Sequence, residues 1–213
     1  MVKNYKISTP FFEFGPKAYL YGDKLLELMK KIDTYAEKYD MDVIADVQTT
    51  DLRLIAENTS DRIHVYSQHM DSIPVGRGMG TILPEAVKAT GAVGVMLNHA
   101  ECKLTLDEIK KAIERADEVG LATIVCADTE EEIKAVAEMN PNIVVAEPSE
   151  LIGTGISVGR EYVDACIELV KSVNSEIMVL PSAGISCGQD CYNIIMAGAV
   201  FAKPKTPLLW QRK

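Results

Sequence analysis

The chain has 213 residues, 47% hydrophobic and 25% charged, with a formal charge of −9. This length supports one domain, residues 1–213, with a sizeable core, and the negative balance argues against nucleic acid as a partner. No apolar run approaches the roughly 20 residues of a membrane span and no signal-peptide core opens the chain, so the expectation is a cytoplasmic protein with no membrane partner.

Short β-rich runs alternate with longer helical patterns. In chain order the expected elements are a strand at Pro10–Phe14, a helix at Lys24–Tyr39, a strand at Asp42–Asp46 and a helix at Asp51–Glu57. A strand at Ile63–Gln68, a helix at Leu83–Ala89 and a strand at Gly94–Leu97 follow. Next come a helix at Thr105–Glu118, a strand at Ala122–Val125, a helix at Glu130–Met139 and a strand at Ile143–Ala146. The series closes with a helix at Tyr162–Val173, a strand at Ile177–Leu180, a helix at Gln189–Met196 and a short strand at Ala199–Ala202. Thr105 with Glu108 forms a capping box, and Gly120 supplies the stop after that helix. Repeated β-then-α units imply a parallel sheet covered by helices, either open and doubly wound or closed as a barrel. In both arrangements the chemistry belongs at the carboxyl ends of the strands.

Five cysteines, Cys102, Cys126, Cys166, Cys187 and Cys191, form an odd set without framework spacing, which fits a reducing compartment. Cys187 and Cys191 lie four apart with no histidine or second cysteine pair beside them, so they read as packed thiols, and no metal site is expected. Nothing in the chain calls for an organic cofactor.

The most informative stretch runs from Ile143 to Gly155. A β-branched strand ends in Glu147, and then Pro148 leads through Ser149-Glu150-Leu151-Ile152 to Gly153-Thr154-Gly155. A carboxylate on a rigid strand, followed by a loop with stiff and flexible hinges, is the layout of a general base beneath a closing lid. Other polar residues also fall just after strands: Lys17, His69 in Gln68-His69-Met70-Asp71, and Asn98-His99-Ala100-Glu101. His64 sits within its strand and reads as structural.

The Glu147-to-Gly155 string resembles the catalytic glutamate and lid of triosephosphate isomerases, closest to the short archaeal-type branch. The resemblance runs from about Phe11 to Gly198. It implies a (β/α)₈ TIM barrel of class α/β whose last β/α unit is in question. It also implies an isomerase that needs no cofactor and interconverts glyceraldehyde 3-phosphate and dihydroxyacetone phosphate through an enediolate. On this resemblance Glu147 is the base, Lys17 stabilises negative charge, and His69 takes the role that triosephosphate isomerases give to a neutral histidine. His99 and Glu101 support them, with Glu101 pairing the lysine. Backbone groups at Gly153, Ser182, Ala183 and Gly184 would hold the phosphate. The family also implies a phosphorylated sugar as partner and a homo-oligomer.

Three positions depart from the family pattern. Gly15 stands where a substrate-contacting asparagine is usual, Ala100 replaces a serine whose hydroxyl contacts the base, and Ser182 replaces a glycine. The first two raise a four-carbon ketose phosphate as the alternative substrate. After Gly198 the match stops, and the chain ends in Lys203-Pro204-Lys205-Thr206-Pro207-Leu208-Leu209-Trp210-Gln211-Arg212-Lys213. Its two prolines do not make the family's final helix. A two-nucleotide frame shift near Ala202 would, for allowed codons, restore a family-like lead-in, and an inactive truncated barrel is the second alternative.

Overall fold

The computed structural model describes residues 1–3, 5–151, 159–182, 188–189, 192 and 201–202. The strands are β1 (Phe11–Phe14), β2 (Val43–Val47), β3 (Ile63–Ser67), β4 (Gly94–Leu97), β5 (Ala122–Ala127), β6 (Ile143–Ala146), β7 (Met178–Pro181) and β8 (Phe201–Ala202). Between them lie α1 (Gly22–Tyr39), α2 (Leu52–Ala56), α3 (Pro84–Ala89), α4 (Leu106–Val119), α5 (Glu130–Glu138) and α6 (Arg160–Val173). The expected helix at Gln189–Met196 falls mostly outside the described residues, although 188–189 and 192 are helical. All pairings are parallel, in the order β7-β6-β5-β4-β3-β2-β1-β8. The ends of that row, β7 and β8, come within 8 Å of each other, so the sheet curls into a ring. The fold is therefore the expected TIM-type barrel. Among the described residues its eighth strand has two residues.

Two apolar cores explain why the sequence folds this way. The larger lies between sheet and helices and takes alternate strand residues such as Val43, Ala45, Val65, Val95, Leu97, Val125 and Val144 with the inner faces of the helices. The smaller fills the barrel with the opposite set: Phe11, Ile44, Tyr66, Met96, Ile124, Val145 and Leu180. Side chains alternate in and out along a strand, so the next inward positions are Glu13, Asp46, Gln68, Asn98, Cys126, Glu147 and Ser182. An apolar layer thus carries a layer of polar and thiol side chains one step nearer the mouth. Gly94 belongs to the lower layer for a steric reason: a Cβ there would stand 2.1 Å from the Tyr66 ring.

The amino-terminal segment covers the opposite end of the barrel. Tyr5 and Ile7 pack against the inner cluster, and the Tyr5 ring meets Tyr66 edge-on, with centroids 6.1 Å apart. The Tyr5 hydroxyl reaches His64 Nδ1 at 3.4 Å, while His64 Nε2 lies 3.3 Å from Asp42 Oδ2. His64 is structural, as its in-strand position suggests. Loop polarity is equally local: Thr105 and Glu108 close the expected capping box and Gly120 ends α4 at φ 74°.

Burial holds the His64 imidazole below its ordinary pKa, with Asp42 opposing only in part. The folded chain therefore resists a proton that the unfolded chain accepts at about pH 6.5. The stability from the neutral ring is complete above that value and is lost as pH falls through it towards the folded value. The urea midpoint should drop between pH 7 and 5, and His64→Gln should flatten that slope; an unchanged slope in the variant would contradict the assignment.

Candidate active site

The carboxyl ends of all strands open on one face of the barrel, and the candidate residues gather there. A cleft of about 250 Å³ is lined by Glu13, Gly15, Lys17, Ala18, Asp46, Gln68, His69, Met96, His99, Glu101 and Cys102. Four of the residues singled out in the sequence thus share one cavity: Lys17, His69, His99 and Glu101. Glu147 is on the same face at the end of β6 but is not among the residues lining that cleft.

Lys17 follows β1, and its side chain donates to Glu101 Oε1, forming the expected ion pair from loops on opposite flanks of the cleft. Its backbone is left-handed at φ 51°, a conformation that costs a residue with a side chain roughly 1–2 kcal/mol. Gln68 holds it there: the side-chain amide donates to Lys17 O at 3.1 Å and to Asp46 O at 2.9 Å. Sequence reasoning missed this role for Gln68. The available signal was its inward parity on β3, where an apolar residue would otherwise fit.

On the β4–α4 loop, Asn98 is buried and also left-handed, at φ 57°. Its amide donates to Cys126 O at 2.8 Å and its oxygen accepts from Leu104 N–H at 2.9 Å, which fastens the loop to β5. The next residue, His99, accepts the Glu101 backbone N–H on Nδ1 at 3.1 Å. A ring nitrogen that accepts carries no proton, so the imidazole is neutral and its proton is on Nε2. His69 is placed differently. Its Nε2 lies 3.7 Å from Asp71 Oδ1 and its Nδ1 lies 4.0 Å from Cys102 Sγ, so both nitrogens face protein groups.

Glu147 continues the β6 ladder, its N–H donating to Ala127 O at 3.0 Å. The Ser182 hydroxyl donates to Glu147 Oε1 at 3.2 Å. Ser182 N–H is bound to Ala146 O at 2.9 Å, so Ser182 does not offer the backbone phosphate contact expected of it; it holds the carboxylate instead. Gly153, Ala183 and Gly184 lie outside the described residues. Directly after Glu147-Pro148 a 3₁₀ turn covers Ser149–Leu151. Asp128 anchors its start, accepting Ser149 N–H at 2.7 Å and the Ser149 hydroxyl at 2.5 Å. Those bonds outweigh partial burial and hold the Asp128 carboxyl below its usual range. The Tyr162 hydroxyl is pushed well above its ordinary value, chiefly by burial, and nearby Cys166, Asp128 and Glu147 push the same way.

Comparison with known proteins gives the family. The sequence profile described as "Triosephosphate isomerase" matches residues 15–191. The chain belongs to the triosephosphate isomerase family. It is 40% identical over 196 residues to the triosephosphate isomerase of Methanobacterium bryantii, covering 90% of this chain and 86% of the relative. It is 38% identical over 197 residues to that of Sulfolobus acidocaldarius, covering 91% and 85%. With that of Methanocaldococcus jannaschii it shares 39% over 181 residues, covering 84% and 82%. The matched segment carries Lys17, Gln68, His69, His99, Glu101, Glu147 and Ser182.

Gln68→Leu keeps the bulk of the side chain but leaves the Lys17 and Asp46 carbonyls without this donor. It should destabilise the chain by about 1–3 kcal/mol in urea unfolding. A variant as stable as the parent would show that Gln68 does not hold the left-handed turn.

Proposed function

We propose that this chain is a triosephosphate isomerase, interconverting glyceraldehyde 3-phosphate and dihydroxyacetone phosphate through an enediolate. The observation that carries the reading is the convergence of Lys17 and the neutral His99 on one cleft, both tied to Glu101, in a chain of this family. In this mechanism Glu147 removes a proton from the carbon beside the carbonyl and returns it to the neighbouring carbon. Lys17 stabilises the negative charge that develops on the oxygens.

The electrophilic role goes to His99, in place of His69, which the sequence had suggested. A neutral imidazole with its proton on Nε2 can donate to a carbonyl without releasing a full proton. The Glu101 backbone N–H on Nδ1 fixes that tautomer in His99. In His69 the Asp71 carboxylate faces Nε2, so that nitrogen is directed at the protein.

Closure of Pro148–Gly155 over the site would exclude water from the enediolate. The anchoring of Ser149 by Asp128 supplies a fixed base for that movement. Gly153, Ala183 and Gly184 remain the proposed backbone phosphate contacts. The chain would work as one barrel domain, 1–213, in the cytoplasm as a homo-oligomer, without a metal or cofactor. Among the described residues no helix is long and apolar enough to cross a membrane.

The direct test is a coupled isomerase assay on glyceraldehyde 3-phosphate. Glu147→Gln should lower kcat by about 10²–10⁴-fold, the range for loss of a general base. Parent protein without turnover, or a variant that retains it, would refute the reading. Ser182→Ala removes only the hydroxyl on the base, so it should lower kcat by about three- to tenfold with little change in KM. A rise of that size in KM with kcat unchanged would place Ser182 in substrate binding.

A further inference from the structure

Glu147 is followed by Pro148, which has no N–H, so the first backbone donor after the proposed base belongs to Ser149. That donor and the Ser149 hydroxyl both go to one carboxylate. The N–H donates to Asp128 Oδ1 at 2.7 Å and the hydroxyl donates to Asp128 Oδ2 at 2.5 Å. On the other side of the proline, Glu147 N–H donates to Ala127 O at 3.0 Å. Residues 147 and 149 are thus fastened to consecutive residues, 127 and 128, with only the stiff Pro148 between them. Leu151 N–H donates to Pro148 O at 3.0 Å and closes the 3₁₀ turn. A grip by two carboxylate oxygens fixes direction as well as distance, because both donors must be aligned at once.

Asp128 is in turn held from behind. Its N–H donates to Glu132 Oε2 at 2.9 Å, and Glu132 N–H donates to the Thr129 hydroxyl at 3.2 Å in the first turn of α5. Lys103 Nζ lies 3.6 Å from the same Glu132 oxygen. Lys103 belongs to the loop that carries His99 and Glu101, and Asn98 ties that loop back at Leu104. A continuous polar path therefore runs from the His99 loop through Lys103, Glu132 and Asp128 to Ser149. Asp128 is not among the residues that line the cleft, so it acts through its neighbours.

We propose that Asp128 is a positioning residue for Glu147: through its two bonds to Ser149 it sets where the base stands, and Glu132 braces it against the His99 loop. The effect on turnover rests on the isomerase reading; the fastening of residues 147–151 does not. Without the grip, Glu147 keeps its carboxyl group and its bond from Ser182, but its backbone is held on one side only. Proton transfer depends steeply on the placement of the base, so the chemical step slows. Substrate binding is made by other loops and is retained.

The test compares variants of the full chain by turnover of glyceraldehyde 3-phosphate, glycerol 3-phosphate binding and amide hydrogen exchange over residues 147–151. Asp128→Ala should lower kcat by about tenfold, with KM and glycerol 3-phosphate affinity within about twofold of the parent. The amides of Ser149 and Leu151 should exchange faster in that variant. Ser149→Ala keeps the backbone bond and should lower kcat by about threefold, whereas Ser149→Thr keeps the hydroxyl and should restore the parent rate. This pair decides the matter if Asp128→Ala fails to fold. The double variant Asp128→Ala/Ser149→Ala should be no slower than Asp128→Ala alone, because both changes remove the same contact. Glu132→Gln should lower kcat in the same direction by a smaller factor. The proposal is overturned if folded Asp128→Ala turns over like the parent or if its loss appears in KM alone. It is also overturned if Ser149→Thr is as slow as Ser149→Ala. Parent protein without turnover, whose 149–151 amides still exchange faster in Asp128→Ala, would refute the isomerase reading alone.

Discussion

A closed parallel barrel admits side chains to its interior only at every second strand residue, and the site depends on that constraint. Phe11, Ile44, Tyr66, Met96, Ile124, Val145 and Leu180 fill one level with apolar volume. Moving two residues along each strand raises the chain by about 6.6 Å and returns the side chain to the inside. At that level the residues become Glu13, Asp46, Gln68, Asn98, Cys126, Glu147 and Ser182. The lower layer keeps water out and fixes the strands, and the upper layer inherits their rigidity. Glu147 is therefore held by the same packing that buries Val145, and a lost methyl group below would be felt as a displaced carboxylate above.

The loops add what strand parity cannot supply. Lys17 and Asn98 each adopt a left-handed backbone, and each is secured by a side-chain amide: Gln68 for the first, its own for the second. The strain is small beside the hydrogen bonds that hold it, and it directs the chain back over the mouth. The chain carries nine net negative charges, so an anionic substrate meets a repulsive global field and needs a local cation. On the proposed reading Lys17 is that cation, paired with Glu101 at the cleft. Glu101 also supplies the backbone N–H that sets the His99 tautomer, so one residue fixes both the charge and the proton position.

Most of the fold was legible because short apolar strands alternate with amphipathic helices, of which α4 and α5 carry side-chain caps. Lys17 could be located because it closely follows an apolar run, Phe11–Phe14, that forms the first strand. Other features were not legible for identifiable reasons. A β-rich run shows that a strand exists but not how far its ladder extends, and β5 continues two residues beyond the expected end at Val125, to Ala127. The role proposed for His99 depends on a backbone N–H two residues on, which has no signature in residue type. His69 drew the assignment because Gln68-His69-Met70-Asp71 resembles the segment that carries the family's electrophilic histidine. Its nitrogens lie 3.7 Å from Asp71 Oδ1 and 4.0 Å from Cys102 Sγ, positions that residue type does not encode.

The departures at Ala100 and Ser182 read as unrelated in sequence, but the structure places the Ser182 hydroxyl on Glu147, the carboxylate that the family resemblance also links to position 100. On that resemblance, Ala100 lacks a hydroxyl that would reach the proposed base from the end of β4. Ser182, at the end of β7 where the family has a glycine, brings a hydroxyl to Glu147 Oε1 from the other side. A carboxylate oxygen accepts from any donor within reach, so the base can be oriented from either flank of the barrel mouth. Parity makes the exchange available: Ser182 is the first inward position after Leu180 on the strand adjacent to Glu147, and its backbone is already bound to Ala146 O. On the proposed reading the contact to the base comes from β7 in this chain.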